Sequence, residues 1–295
     1  PFISDPERRL LSQNVPVGNH ALQAVGVAHQ IVRSPDRSIV VCTMGDGSTQ
    51  QGEVFEAISE SVRAELPVLF VIEDNGYSIS TPTARQTFFS LPSRYLAPDR
   101  FLGLPIHRFE ARDVVSLLPR LSAVVKQVRR ERTPGLVVLK MARLADHTNA
   151  DDHRVYRDAK EIELAWNTWD PLRILRERLV ELGLSRRQLV HLEEQTRDEV
   201  RFAAELALTT PDPEPVFTAK ADPVLELQPL PATSTTSQDG STSLNSSARL
   251  TMVEALRAVL RSRLQSDPRV LLLGEDIEDP KGDVFGVTRG LSTEF

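Results

Sequence analysis

Short apolar runs alternate with helix-like patterns along the first half of the chain. Residues 37–43 (RSIVVCT) and 67–72 (PVLFVI) are apolar runs bounded by Gly, Pro or polar turns, which is typical of buried strands. Similar runs occur at residues 106–109 and 135–141. Between the runs, apolar positions recur at helical spacing over residues 21–32, 51–64 and 113–130. This alternation predicts an α/β fold with a doubly wound parallel sheet.

The pattern changes to continuous helix after residue 157. Helical spacing extends to residue 182 and resumes over residues 186–208, with Ser185 as an N-terminal cap. We therefore expect a helical C-terminal extension to the α/β domain.

A polar segment then separates two parts of the chain. Residues 219–247 are rich in Ser, Thr, Gly and Pro, which favours a flexible linker. A helical pattern at residues 250–264 and an apolar run at residues 270–273 indicate a helix and a buried strand. The predicted organisation is a domain over residues 1–218, the linker, and the truncated start of a second α/β domain over residues 248–295.

Composition narrows the class of protein. The chain has 295 residues, and its net charge of −6 comes from interspersed acids and bases, which disfavours nucleic acid as a partner. No run approaches the ~18–20 apolar residues that span a bilayer, and no signal segment is recognisable, so we expect a cytoplasmic protein without a membrane partner. The single Cys42 lies in an apolar run and is expected to be a buried small hydrophobe. Because the chain begins at Pro1 and ends at Phe295 just after a predicted strand, we expect a fragment.

Two polar clusters follow the first two predicted strands. Gly45-Asp46-Gly47 follows the first, Asp74-Asn75-Gly76-Tyr77 follows the second, and 27 residues separate Gly47 from Asn75. Both clusters should lie at the carboxyl ends of parallel strands, where open α/β sheets bind ligands. Asp and Asn oxygens suit Mg²⁺, and glycines allow the backbone to approach a diphosphate. The alternative is that both clusters are merely tight turns, because Gly, Asp and Asn dominate turns.

The chain resembles the dehydrogenases of 2-oxo acids that use thiamin diphosphate, specifically their first component, E1. The segment VCTMGDGSTQQGEVFEAISESVRAELPVLFVIEDNGYSISTPT is similar to the E1 α subunit, as are RLADHTNADDHRVYR and DPLRILRERLVELG. The segment from residue 250 to residue 291 is similar to the opening of the β subunit. The resemblance implies a thiamin-diphosphate-binding fold and a fusion of α and β parts in one chain.

The resemblance also implies roles for individual residues. Asp46 and Asn75 would bind Mg²⁺ through their side chains, and Tyr77 through its backbone carbonyl. His147 would be the catalytic histidine beside the cofactor, because a near-neutral pKa suits proton transfer. Arg143 and Asp151 would order the loop that carries His147. The full set implied to bind the cofactor is Gly45, Asp46, Gly47, Asn75, Tyr77, Arg143 and His147.

The residues alone leave other interpretations open. Without the resemblance, His147 is a surface loop residue, and Asp151 with Asp152 is a solvated pair beside Arg154 and Arg157. The histidines at positions 20, 29, 107, 153 and 191 lack metal-ligand spacing and are expected to be structural or exposed. The absence of G-x-G-x-x-G and G-x-x-x-x-G-K-[ST] argues against a generic nucleotide-binding domain.

The expected function is the decarboxylation of a 2-oxo acid on thiamin diphosphate with Mg²⁺, followed by acylation of the lipoyl group of an E2 acyltransferase. The fusion favours branched-chain substrates of the 3-methyl-2-oxobutanoate type, with pyruvate and acetoin as alternatives. A homodimer of the fused chain is expected. An alternative of another class is a noncatalytic diphosphate-binding or assembly module. In the family the glutamate that activates the aminopyrimidine lies in the β part beyond Phe295, so these 295 residues alone should be poorly active.

Overall fold

A computed structural model describes residues 4–5, 7–11, 16–92, 98–211, 250–274 and 276–295. The chain divides into two compact units, one of Pro1–Gly183 with Thr251–Phe295 and one of Leu184–Leu250. The predicted linker, residues 219–247, and its boundaries with both neighbouring segments lie outside the described residues.

A five-stranded sheet forms the centre of the first unit. In order across the sheet, its strands are β1 (Val40–Gly45), β2 (Val68–Asp74), β7 (Gly135–Lys140), β6 (Leu104–Glu110) and β5 (Arg100–Phe101). The first four are parallel, and β5 is antiparallel to β6. The parallel strands are the four that the sequence predicts, so the mostly parallel sheet is confirmed.

Helices cover both faces of this sheet. On one face, α1 (His20–Ile31) and α2 (Gly52–Arg63) pack against Phe70 and Ile72 of β2. On the other face, α3 (Val114–Glu131) packs against Leu69 and Val71 of the same strand. Alternate residues of β2 therefore enter two cores, as the two-residue period of a strand requires. The doubly wound arrangement is confirmed, and Cys42 is buried in the first core, where burial raises its pKa to about 12.

The helical extension is also present. In the first unit it consists of α4 (Ala159–Trp169) and α5 (Pro171–Glu181), and Asp170 caps α5. The second unit contains α6 (Arg186–Thr209), which begins with a capping box between Ser185 and Gln188. No helix among the described residues is long and apolar enough to span a membrane.

The C-terminal segment differs from its prediction in one element. It contains α7 (Met252–Ser266) and the single-turn α8 (Leu291–Glu294), as well as the predicted run at residues 270–273. That run is not a buried strand, because it pairs with no described strand and both Leu271 and Leu273 are exposed. An isolated extended segment leaves its backbone groups unpaired, so an apolar run becomes a strand only beside a partner strand.

Two short hairpins interrupt the expected alternation. One pairs β5 with β6, and the other pairs β3 (Tyr77–Ser78) with β4 (Thr81–Pro82). The second hairpin directly follows the turn at Asn75. It places a compact turn directly beside the glycine cluster that follows β1.

Candidate functional site

The two polar clusters lie next to each other at the edge of the sheet. The register of β1 on β2 places Gly45 opposite Glu73, and the amide of Asp46 donates to the Glu73 carbonyl at 3.3 Å. The amide of Gly76 donates to Oδ2 of Asp46 at 3.1 Å. The structure therefore brings together the two turns that the spacing of the sequence places at adjacent strand ends.

Asp46 is a buried carboxylate with 1% of its surface exposed. Burial raises its pKa, the nearby charge of Asp74 adds to the effect, and a hydrogen bond from the Thr83 hydroxyl opposes it. A carboxylate whose pKa is raised by desolvation carries its charge at a cost in free energy. A bound cation would remove that cost, so Asp46 fits a metal ligand on its own physical chemistry.

Asn75 and Tyr77 offer two further oxygens. Oδ1 of Asn75 accepts from the Tyr77 amide at 3.0 Å and keeps a second lone pair for another partner. Pro82, the ladder partner of Tyr77, has no N–H and cannot donate to the Tyr77 carbonyl. Within the described part of the chain no group of three or more His, Cys, Asp and Glu residues could hold a metal. A site built from one carboxylate, one amide and one carbonyl suits Mg²⁺, which shares its remaining positions with phosphate and water.

The glycines of the first cluster differ in their surroundings. A Cβ on Gly47 would lie 2.3 Å from the Oγ and 2.5 Å from the Cβ of Ser78, so the β3–β4 hairpin requires glycine there. At Gly45 a Cβ would meet no described atom within 4 Å, which leaves open space beside the turn. The helix α2 begins a few residues later, at Gly52, without a side-chain cap. Its first amide groups are suited to an anion such as a diphosphate.

Arg143 lies over the aromatic ring of Tyr77. Its guanidinium carbon is 5.3 Å from the Tyr77 ring centroid and 5.6 Å from that of Tyr156. Nη1 donates to the Ile79 carbonyl at 2.7 Å, and Nη2 donates to the Tyr156 hydroxyl at 2.6 Å. Nε is buried and has no hydrogen-bond partner among the described residues. A buried donor without an acceptor is costly, and an anionic ligand oxygen would satisfy it.

A second arginine, Arg157, contacts the same aromatic ring. The sequence assigned it no role at the site. Arg157 is 6% exposed, lies 5.1 Å from the Tyr77 ring centroid, and donates to the Arg143 carbonyl at 2.8 Å. It also pairs with Glu161 at 2.9 Å, and that carboxylate accepts from the Tyr77 hydroxyl at 2.8 Å. Tyr156 and Arg157 form the Tyr-Arg pair that ends the loop motif. That pair was the available signal in the sequence.

His147 lies on an exposed loop that is anchored by Asp151. The backbone amide of His147 donates to Oδ2 of Asp151 at 3.0 Å, and the Tyr156 hydroxyl donates to the same oxygen at 2.6 Å. The Asp151 side chain is buried and hydrogen-bonded, so the solvated alternative does not hold for it. It does hold for Asp152, which forms an exposed pair with Arg154 at 2.8 Å. Hydrogen bonds through Asp151 and Tyr156 link the loop to Arg143. The side chain of His147 itself is exposed.

Comparison with known proteins identifies the family. The model of the family described as dehydrogenase E1 component matches residues 2–216. This chain belongs to the dehydrogenase E1 component family. The match covers the sheet, the site and the whole helical extension through α6, and it ends before residue 250.

Individual relatives are similar over the same part of the chain. The 3-methyl-2-oxobutanoate dehydrogenase subunit alpha of Mycobacterium tuberculosis is 31% identical over 226 residues, which are 73% of this chain and 59% of that protein. The pyruvate dehydrogenase E1 component subunit alpha of Zymomonas mobilis is 30% identical over 207 residues, 70% of this chain and 57% of that protein. The mitochondrial 2-oxoisovalerate dehydrogenase subunit alpha of Homo sapiens is 28% identical over 214 residues, 71% of this chain and 46% of that protein. The E1 chain therefore spans about half the length of the relatives it matches.

Proposed function

We propose that this E1 chain holds thiamin diphosphate and Mg²⁺ and acts in the oxidative decarboxylation of a 2-oxo acid. The observation that carries the proposal is the buried Asp46 carboxylate, which is joined through Gly76 to the Asn75–Tyr77 turn at adjacent strand ends. Membership of the E1 family supports the same conclusion.

The proposed ligands of Mg²⁺ are the side chains of Asp46 and Asn75 and the carbonyl of Tyr77. Gly45 and Gly47 would leave the backbone accessible to the diphosphate, and Nε of Arg143 would donate to it. Thiamin diphosphate, when bound, supplies the carbanion that adds to the 2-oxo carbon and accepts the electrons left by CO₂.

His147 is the proposed catalytic residue. An imidazole has two ring nitrogens that can donate and accept a proton, so it can donate a proton to a substrate oxygen and take one back within a turnover. The imidazole can act at the site only if the backbone of its loop is fixed. The hydrogen bond that the His147 amide donates to Asp151 supplies that constraint.

The names of the relatives support a 2-oxo acid as the substrate. They include proteins named for 3-methyl-2-oxobutanoate and 2-oxoisovalerate as well as for pyruvate. We favour a branched-chain 2-oxo acid, with pyruvate or acetoin as the alternative. The proposed partner is a lipoyl-bearing E2 acyltransferase, and the proposed assembly is a homodimer in which residues 248–295 begin a fused β part.

The test is a decarboxylation assay of the complete protein with an artificial electron acceptor, 3-methyl-2-oxobutanoate or pyruvate, thiamin diphosphate and Mg²⁺. We expect turnover that His147→Asn lowers by about 10²–10⁴-fold in kcat, the usual contribution of a general acid or base. The affinity for thiamin diphosphate should fall far less than kcat, because the other residues of the proposed binding set remain. Cofactor binding without turnover of any 2-oxo acid would instead establish a noncatalytic diphosphate-binding module.

A further inference from the structure

The carboxylate of Asp151 lies between two segments that are far apart in the chain. Its Oδ2 accepts from the His147 amide and the Tyr156 hydroxyl, and its Oδ1 accepts from Nζ of Lys281, 130 residues away. The Asp151 side chain is 3% exposed and the Lys281 side chain 12% exposed. Burying the Asp151 carboxylate and the Lys281 ammonium costs hydration free energy. Close pairing and further hydrogen bonds must offset that cost.

Lys281 also contacts Tyr156, the residue that donates to Asp151. Its ammonium lies 5.2 Å from the ring centroid of Tyr156, within range of a cation–π interaction. Tyr156 in turn accepts from Arg143 and donates to Asp151. Lys281 therefore belongs to a hydrogen-bonded network that also includes Asp151, Tyr156 and Arg143.

The turn that carries Lys281 is itself held in place. Asp279 accepts from the Gly290 amide at 2.6 Å and from the Ser292 hydroxyl at 2.8 Å. Gly282, which follows Lys281, has a φ of +64°, and a Cβ there would lie 2.2 Å from the Cα of Arg289. The ammonium is thus presented by a packed turn, which lowers the entropy lost when the ion pair forms.

A second contact connects the same segment to the hairpin at the site. Oδ1 of Asp276 accepts from the Ser80 amide at 3.2 Å, from the Ser80 hydroxyl, and from the Thr81 hydroxyl at 3.3 Å. Ser80 and Thr81 follow Tyr77 in the β3–β4 turn. Residues 276–281 consequently touch both the hairpin that begins with Tyr77, one of the proposed metal ligands, and the loop that carries His147.

We propose that Lys281 is a positioning residue for His147: its ion pair with Asp151 fixes the catalytic loop to the C-terminal segment. The inference rests on the proposed function for the role of His147, whereas the fixing of the loop is independent of it. Without Lys281 the Asp151 carboxylate is left buried with fewer donors, and it turns toward water and releases the His147 amide.

The experiment compares the complete protein with Lys281→Met and with Lys281→Cys before and after aminoethylation, which restores an ammonium of similar reach. Lys160→Met, on the exposed surface of α4, is the matched control because it makes the same change in charge. Hydrogen exchange of residues 144–153 is measured without cofactor. We expect exchange at least tenfold faster in Lys281→Met, exchange restored by aminoethylation, and no change in Lys160→Met.

Kinetics of the same variants distinguish positioning from general stability. We expect Lys281→Met to lower kcat by about 10–100-fold, because a displacement of about 1 Å costs this much, while KM and the affinity for thiamin diphosphate change less than threefold. Loop exchange in Lys281→Met equal to that of the unmodified protein would overturn the proposal, and so would failure of aminoethylation to restore it. Absence of turnover in the unmodified protein would refute the proposed function but would leave the exchange comparison intact.

Discussion

At the scale of single residues, the site is built around a carboxylate that is poorly solvated. Burial raises the pKa of Asp46, with Asp74 contributing in the same direction. An aspartate whose pKa is higher in the folded than in the unfolded state destabilises the fold once the pH rises above its unfolded value of about 3.9. Near neutral pH the charge of Asp46 therefore costs folding free energy, and a cation bound to Asp46 would remove that cost.

The raised pKa of Asp46 predicts the effect of Asp46→Asn on the protein without metal. At pH 8 the variant should melt at a higher temperature than the unmodified protein, because the amide carries no charge for burial to penalise. Below about pH 4, where the aspartate is protonated in both states, the difference should disappear. Thermal unfolding followed by circular dichroism across this pH range measures both effects.

Asp36→Asn is the control, because the pKa of Asp36 is shifted in the opposite direction to that of Asp46. Hydrogen bonds from Ser38 and Ser34 lower the pKa of Asp36, so its charge stabilises the fold above the unfolded pKa. This substitution should not raise the melting temperature at pH 8. An Asp46→Asn protein that melts lower than the unmodified one at pH 8 would show that Asp46 is structural rather than poised for a cation.

At the residue scale, a local signal in the sequence was sufficient to predict which two turns meet. The spacing of Asp46 and Asn75, together with strand ends, places both at one sheet edge, and the structure joins their turns. The sequence did not indicate the partners that are distant along the chain. Lys281 pairs with Asp151 across 130 residues, and Asp276 accepts from Ser80 across 196 residues. No local pattern encodes a single contact across such a separation.

At the scale of elements, the period of apolar residues was sufficient for the parallel strands and the helices but not for the hairpins. The turn between β5 and β6 places Leu102 and Gly103 at φ values of +49° and +84°. Such turns usually carry Asn or Asp before Gly, so Leu102 gives no sequence signal. The β3–β4 turn places the β-branched Ile79 at φ +52°, which is a strained conformation for this residue type.

The close approach of the β3–β4 hairpin to the first glycine cluster gives a prediction at this scale. Gly47→Ala places a methyl group against Ser78 and should destabilise the fold by about 1–3 kcal/mol, the usual cost of overpacking. Ser78→Gly removes the side chain that the methyl group meets.

A double-mutant cycle in urea tests the contact. The cost of Gly47→Ala should fall by about 1 kcal/mol or more in the Ser78→Gly background. Additive effects of the two substitutions would show that the hairpin does not pack on Gly47 as described.

At the scale of the whole molecule, one compact unit combines two segments of the chain. Pro1–Gly183, which includes the sheet, and Thr251–Phe295 cluster together, whereas Leu184–Leu250 forms the other unit. The family match covers the first of these segments and stops before the last. The fused β part stays a prediction from resemblance, and the contacts of Asp276 and Lys281 are the physical reason to expect that residues 251–295 act with the site.

We propose that Asp46 and Asn75 hold Mg²⁺ and, through it, thiamin diphosphate. Calorimetric titration of the complete protein with thiamin diphosphate, with and without Mg²⁺, tests it most directly alongside Asp46→Ala and Asn75→Ala. We predict binding that requires Mg²⁺ and that each substitution weakens by at least about 100-fold, because each removes a direct ligand. Binding that is independent of Mg²⁺, or that survives both substitutions unchanged, would contradict the account.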